Sequence, residues 1–285
     1  MFSFLLFFLS FLLGFWTHSA QAEEGAVPSV DFSVLPASAM VAQSDRSGTP
    51  HPVVARLLLD SEQVQIGKAF RLGVHLTMLP EWHTYWRSPG GVGKKTEITW
   101  KGPEQTKFSP YVFPVPHRYF DGASVSYGYS DQVLLYTDVV LPEGASGDIE
   151  LSAQVRWLVC KTSCIMGNAD LSTVVRIGSD TKASSFSVLF DHYAAQHPTP
   201  ITNIEGIEVE YGLSVDKLHS EEKFAFVASI KPKEGIPLVV ETEEGASTWP
   251  YVTPIFEGTL DAQYDEQGIL PEVTLTKTAD STYFV

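Results

Sequence analysis

Residues 149–157 read IELSAQVRW, and their apolar and polar side chains alternate without a break. The odd-numbered positions are apolar and the even-numbered positions are polar, which is the period of a β-strand with one buried face and one wet face. Residues 70–78, FRLGVHLTM, show the same period, with Phe70 and every second residue after it apolar. Both stretches therefore predict strands that bury one face and expose the other.

Further strand candidates lie outward from these two stretches, at residues 132–141 and 169–177. Sequences typical of turns separate the candidates, namely PGG at 89–91, DG at 121–122, PEG at 142–144 and GN at 167–168. Many short strands joined by such turns predict an all-β chain folded as a β-sandwich. We expect this sandwich to span residues 52–180.

The stretch 182–196 departs from the strand pattern and predicts a short amphipathic helix. Its apolar residues follow the spacing i, i+3, i+4 and i+7, at Phe186, Leu189, Phe190 and Tyr193. We interpret residues 181–200 as a linker that contains this helix. Strand patterns resume at 207–211, 223–230, 238–241 and 273–277, which predicts a second, smaller β-rich domain over 201–285. The apolar ending Tyr283-Phe284-Val285 favours a truncated domain and a longer parent protein.

The N-terminal residues predict export. Residues 1–14 are almost entirely Phe and Leu, and the small-residue site Ala20-Gln21-Ala22 follows, so we expect a signal peptide over 1–22. The apolar run is too short to favour a membrane span. No Lys or Arg precedes it, and an uncleaved anchor is therefore the alternative. Residues 23–51, rich in Ser, Ala, Pro and Gly, predict a flexible leader.

Composition and motifs exclude several classes of partner and site. The formal net charge of -15 argues against nucleic acid and against anionic membrane surfaces as partners. The chain has no phosphate loop, dinucleotide fingerprint or HExxH zinc motif. We therefore predict no cofactor and no metal at the site.

Cys160 and Cys164 are the only cysteines, and an exported chain is expected to pair them in a disulfide. They flank the tip of a predicted hairpin and share the parity of its polar positions, so both sulfurs should face water unless a bulge intervenes. Closing so short a loop adds about 2 kcal/mol at most. Lys161 and Arg156 are the nearest cations that could favour a thiolate.

Three functions remain open from the residues alone. The pair is suited to thiol–disulfide exchange, but a hairpin clasp in a non-catalytic interaction module has the same spacing. Copper binding is the third, with two thiolates and extra ligands drawn from His75, His83, His117 and Met166. None of these four residues lies at a recognisable ligand spacing from the cysteines.

Aromatic residues cluster in two further segments, WHTYWRSPG at 82–90 and YGY at 127–129. Core packing is the favoured interpretation of these residues. The alternative is that they shield the disulfide or contact a partner, and the candidates are Trp82, Trp86, Tyr127 and Tyr129.

These two segments, followed by Trp157-Leu158-Val159-Cys160 with Cys164, resemble the periplasmic N-terminal region of the DsbD/ScsB-type thiol:disulfide interchange proteins. The resemblance covers residues 53–177. It implies an immunoglobulin-like sandwich in a Gram-negative periplasm, with Cys160 and Cys164 as the redox pair. It also implies a protein-disulfide reductase component.

The resemblance further implies partners. Membrane-embedded and thioredoxin-like reductase domains, on the same or a separate chain, supply electrons in such relays. Oxidised periplasmic proteins receive them, including disulfide isomerases, cytochrome c maturation factors and copper-tolerance proteins. Neither reductase domain is present in this sequence, so we expect the chain to act with them, tethered through a missing C-terminal region or as a separate protein. We expect Cys164 to be the attacking thiol.

Overall fold

The computed structural model describes residues 26–44, 48–90, 92–121, 124–197, 207–213, 226–232, 276–277 and 283–284. The predicted signal peptide lies outside the described residues. The strands are β1 (Met40–Ser44), β2 (Pro50–Leu59), β3 (Ser61–Gln65), β4 (Phe70–Met78), β5 (His83–Gly90), β6 (Glu97–Lys101), β7 (Lys107–Phe108), β8 (His117–Asp121), β9 (Ser124–Ser130), β10 (Gln132–Val140), β11 (Asp148–Cys160), β12 (Cys164–Gly178), β13 (Lys182–Ala183), β14 (Ile207–Leu213), β15 (Phe226–Pro232), β16 (Thr276–Lys277) and β17 (Tyr283–Phe284). One α-helix, α1 (Ser187–Ala194), and two 3-10 turns, Phe32–Val34 and Ala37–Ala39, complete the described elements.

Two sheets form the main body. The first has the order β1-β2-β4-β10-β7, and the second has the order β13-β3-β12-β11-β5-β9-β8, with β6 also paired to β11. Their inner faces share one buried cluster, to which the first sheet contributes Leu57, Val74 and Leu135 and the second contributes Leu151, Val155 and Val175. The alternation in β11 places its odd-numbered residues in this core, as predicted. The all-β, immunoglobulin-like sandwich is confirmed.

The prediction that β4 exposes one face to water is wrong at the centre of the strand, where Gly73 and His75 are buried. Two elements cover this outer face. Phe190 of α1 packs over Gly73, where an added β-carbon would lie 3.0 Å from Cε1 of the phenylalanine. The ring of Phe32 stacks on His75 with 5.0 Å between centroids. Both covering residues are distant in sequence, so the local period of β4 carries no sign of them.

The predicted helix is present but shorter than the stretch 182–196. Leu189, Phe190 and Tyr193 are buried, as their spacing predicted. The Nη2 atom of Arg71 on β4 lies 2.7 Å from a carboxylate oxygen of Asp191. The helix therefore packs on the sandwich, whereas the sequence predicted part of a linker.

Part of the predicted flexible leader is ordered. Strand β1 pairs antiparallel with β2 at the edge of the first sheet. Ala39 is fully buried, and the hydroxyl of Ser38 donates a 3.0 Å hydrogen bond to the carbonyl of Ser172 on β12. The edge of β2 has backbone groups that need partners, and this segment satisfies them.

Strands β14 to β17 form one antiparallel sheet in the order β14-β15-β17-β16. Strands β14 and β15 overlap the predicted strands at 207–211 and 223–230, whereas the predicted strand at 238–241 lies outside the described residues. The second domain as a whole stays a prediction. In the part of the chain that the structure describes, no helix is long and apolar enough to cross a bilayer.

Candidate redox site

The two cysteines lie at the end of the longest hairpin described. Strands β11 and β12 pair in one continuous register, from Asp148 opposite Arg176 to Cys160 opposite Cys164. No bulge shifts this register, so the parity that the sequence predicted holds to the tip. Cys160 and Cys164 form a disulfide, and their α-carbons are 4.1 Å apart. A loop of three residues, Lys161 to Ser163, closes the hairpin.

The two sulfur-bearing residues differ in exposure. Cys164 is exposed, as predicted, but Cys160 is only 4 % exposed. The expectation that both sulfurs face water is therefore wrong for Cys160. The disulfide has one cysteine that solvent reaches and one that the protein covers.

At Cys160, β11 has a neighbouring strand on each side. Strand β12 pairs with one side, and His83 of β5 pairs with Cys160 on the other. His83 is 6 % exposed, and its imidazole stacks on the ring of Tyr119 with 4.5 Å between centroids and 13° between planes. Tyr85 meets the same imidazole edge-on at 5.2 Å. The outer face of the second sheet is thus covered by aromatic rings beside the tip of β11.

Each of the two cations predicted to favour a thiolate lies beside an acidic residue. Lys161 is in the exposed turn, and its ammonium forms an ion pair with Glu81 in the β4–β5 turn. Arg156 is exposed and lies opposite Glu97 of β6 in the register. It lines a shallow groove of about 630 Å³ on the outer face, which extends along β12 from Met166 to Asp170.

The predicted shielding aromatics divide between core and half-buried positions. Trp86 and Tyr129 are 2 % and 4 % exposed and belong to the core. The hydroxyl of Tyr129 donates a 2.7 Å hydrogen bond to the carbonyl of Pro114, and burial raises the pKa of this phenol well above its ordinary value. Tyr127 is half-buried with its ring centroid 6.5 Å from that of Trp86, and Trp82 is half-buried against the core.

Three exposed apolar side chains belong to the segments at the tip of the hairpin and the turn that contacts it. Ile165 and Met166, which follow Cys164, are 38 % and 55 % exposed. Leu79 is 52 % exposed and lies in the β4–β5 turn that contacts Lys161 through Glu81. Exposed apolar side chains in these segments are suited to a protein partner, because burying them on contact is favourable.

Two residues of this site were missed as site residues in the sequence. His83 was considered only as a metal ligand, and Tyr119 carried no signal. The pairing of β5 with β11 and the stacking of Tyr119 on His83 are non-local, so no short pattern reveals them. Among the described residues, no three His, Cys, Asp or Glu side chains cluster as metal ligands would.

Residues 55–176 match the family model described as thiol:disulfide interchange protein DsbD, N-terminal. Over this segment the chain is similar to the N-terminal domain of DsbD. The resemblance predicted from three motifs is thereby confirmed over this segment, which contains both cysteines and His83.

Two solved structures are also similar to the chain. The N-terminal periplasmic domain of ScsB from Proteus mirabilis matches at 16 % identity and a TM-score of 0.47, over 69 % of this chain and 70 % of that one. A non-cellulosomal cohesin from the archaeon Archaeoglobus fulgidus matches at 10 % identity and a TM-score of 0.25, over 44 % of this chain and 91 % of that one. Among curated proteins, none matches the chain.

Proposed function

We propose that the protein carries out thiol–disulfide exchange in the periplasm through the Cys160–Cys164 pair. It takes electrons from a thioredoxin-like or membrane-embedded reductase domain and passes them to oxidised periplasmic proteins, such as disulfide isomerases. One observation carries the proposal: within the segment that matches the DsbD N-terminal family, Cys164 is exposed at the tip of a hairpin. Exposure is what distinguishes an exchangeable disulfide from an inert one.

The exposure of the two cysteines supports an order of events. A partner thiolate reaches the sulfur of Cys164, forms a new S–S bond with it, and breaks the Cys160–Cys164 bond. The electron pair of the broken bond goes to the sulfur of Cys160. A second partner thiolate then attacks the partner's own sulfur in the mixed disulfide and releases Cys164, which leaves a dithiol here and a disulfide in the partner. The dithiol reduces a client by the same steps in reverse.

The sandwich does not need the disulfide for its fold. The loop that the bond closes is so short that it contributes about 2 kcal/mol at most. The shared core of the two sheets and the full β11–β12 register supply the stability instead. The bond can therefore open and close within a folded domain, which supports a redox role over a clasp.

The predicted signal peptide and the family match support the periplasm as the place of action. Sequencing the N-terminus of the mature protein from a periplasmic extract tests this. A first residue of Glu23 is expected, and retention of residues 1–22 would contradict cleavage after Ala22.

The reduction potential of the pair tests the function. The purified protein is equilibrated in glutathione or dithiothreitol buffers and its thiols are counted. A value of roughly -120 to -270 mV is expected for an exchange protein. A value well below about -300 mV would mark a structural clasp and end the proposal. A Cys160→Ser/Cys164→Ser variant is the control: it should keep the fold but transfer no electrons.

A further inference from the structure

We propose that His83 stabilises the thiolate that forms on Cys160 when the disulfide opens. The inference rests on the proposed exchange function and assigns to His83 a part in the reaction. The step it serves is the departure of the Cys160 sulfur as a partner thiolate attacks Cys164. In that step the electron pair of the S–S bond moves to Cys160, and an N–H of the His83 imidazole donates a hydrogen bond to the resulting anion.

The location of Cys160 creates the need for such a group. A thiolate in buried, apolar surroundings is disfavoured, and burial raises the pKa of a thiol. A leaving thiol with a high pKa leaves slowly in exchange. Cys160, at 4 % exposed, would be a poor leaving group unless a neighbouring donor stabilises its charged form.

The strand register brings His83 alongside. Directly paired residues on antiparallel strands project to the same face, with β-carbons about 4.5–5.5 Å apart. Cys160 and His83 are such a pair, so the imidazole and the sulfur are side by side on the outer face. The flat stack on Tyr119 and the edge contact with Tyr85 restrict the orientation of the imidazole.

The cations nearest in sequence are less suited to this role. Lys161 directs its ammonium to Glu81 at the surface, and Arg156, four residues before Cys160, lies opposite Glu97. Neither is paired with Cys160 across a strand. His83 is the ionisable side chain that the register places next to the buried sulfur.

Other titratable groups border His83, and a test must separate them from it. Tyr85 lies on the same strand, and Tyr119 lies on β8, where burial raises the pKa of its phenol. Asp131 adjoins Ser130, the residue of β9 that pairs with His83. Glu81, two residues before His83, forms its ion pair with Lys161. Substitutions at position 83 leave all of these unchanged.

The thiol pKa of Cys160 is the direct readout. In a Cys164→Ser background Cys160 is the only thiol, and the absorbance of the thiolate near 240 nm is followed against pH. His83→Phe retains an aromatic ring against Tyr119 but removes both nitrogens. It should raise the thiol pKa by about one unit or more, which is a tenfold loss of thiolate at a fixed pH below the pKa. An unchanged pKa would overturn the proposal.

Two further variants sharpen the result. His117→Phe, at an exposed histidine of β8 in the same sheet, should leave the thiol pKa unchanged. His83→Gln keeps an N–H donor and should restore part of the effect, whereas a purely structural role predicts no such rescue. A pKa in His83→Gln equal to that in His83→Phe would count against a hydrogen bond from position 83.

If the variants at position 83 do not fold, the unsubstituted protein provides the test. The imidazole of His83 is titrated by NMR in the oxidised and the reduced states. A thiolate beside it should raise the pKa of the imidazole in the reduced state, and identical titrations would refute the proposal. None of these measurements needs a partner. Failure of exchange with a partner therefore counts against the proposed function alone. A thiol pKa that does not respond to substitution of His83, or an imidazole titration that is the same in both redox states, counts against this inference alone.

Discussion

Trp157 and Gly167 face each other across the β11–β12 hairpin, and the indole fills the space beside the α-carbon of the glycine. A β-carbon at position 167 would lie 2.3 Å from Cε2 of the indole, whereas packed carbon atoms approach to about 3.5–4.0 Å. Trp157 is 1 % exposed and meets the ring of His51 edge-on at 5.6 Å. The position therefore requires glycine, three residues from the exposed cysteine.

Gly167→Ala is expected to lower the free energy of unfolding by about 1–3 kcal/mol, because the new methyl group forces the indole out of its position. Urea denaturation followed by tryptophan fluorescence measures the change. Gly144→Ala is the matched control, since a β-carbon there has no heavy atom within 4 Å. It should change stability by less than about 0.5 kcal/mol. Equal midpoints for the two variants would contradict the packing described.

The unequal exposure of the cysteines predicts unequal reactivity of the single thiols. In Cys160→Ser the remaining Cys164 is exposed, and in Cys164→Ser the remaining Cys160 is buried. We expect the Cys160→Ser variant to react with a bulky alkylating agent at least about tenfold faster at neutral pH. It should also accumulate the mixed disulfide with a reductase partner. Equal alkylation rates would show that both thiols are accessible.

Phe190 tests whether α1 is part of the sandwich. Its side chain is fully buried over β4 and β10, with its ring 5.6 Å from that of Tyr136. Phe190→Ala should cost about 3–5 kcal/mol of stability. Val188 on the same helix is 46 % exposed, and Val188→Ala should cost less than about 0.5 kcal/mol. A detachable linker helix would make the two losses similar and small.

His75 predicts a loss of stability in mild acid. Burial lowers the pKa of His75 to about 4, and the nearby Arg56 adds to this, whereas the hydrogen bond that Nε2 of His75 donates to the amide oxygen of Gln132 opposes it. The unfolded chain, with a pKa of about 6.5, binds the proton first. Stability is therefore complete above about pH 6.5 and falls as the pH drops toward 4, by about 3 kcal/mol in total.

Chemical denaturation at a series of pH values between 4 and 7 measures this loss. His75→Gln should flatten the pH dependence in that window, whereas the exposed His117→Gln should leave it as it is. A variant at position 75 that retains the full slope would assign the acid sensitivity to other groups.

Local sequence patterns predicted the parts of the fold that depend on short-range order. The alternation in 149–157 identified the inner face of β11, and the spacing of Leu189, Phe190 and Tyr193 identified the buried face of α1. The parity of the hairpin also predicted that Cys160 and Cys164 flank its tip on the same face. Each of these features is set by the period of a single element.

The missed features depend on contacts between distant segments. The alternation in β4 assigns His75 to the exposed face, yet His75 is covered because Phe32 stacks on it. Cys160 has the parity of the outer face, yet β5 and Tyr119 close that face at the tip. The packing of the whole domain decides which segments cover a sheet. The alternation of residues in a single strand does not indicate which those segments are.

For the small loop closed by Cys160 and Cys164, a thermodynamic cycle links the stability that the disulfide adds to its reduction potential. The stability that the bond adds to the folded state equals the extra free energy required to reduce it there rather than in the unfolded chain. A contribution of about 2 kcal/mol at most corresponds to about 40 mV. Folding by itself therefore moves the potential of this pair only slightly, and any larger displacement measures what neighbouring side chains do to the two sulfurs.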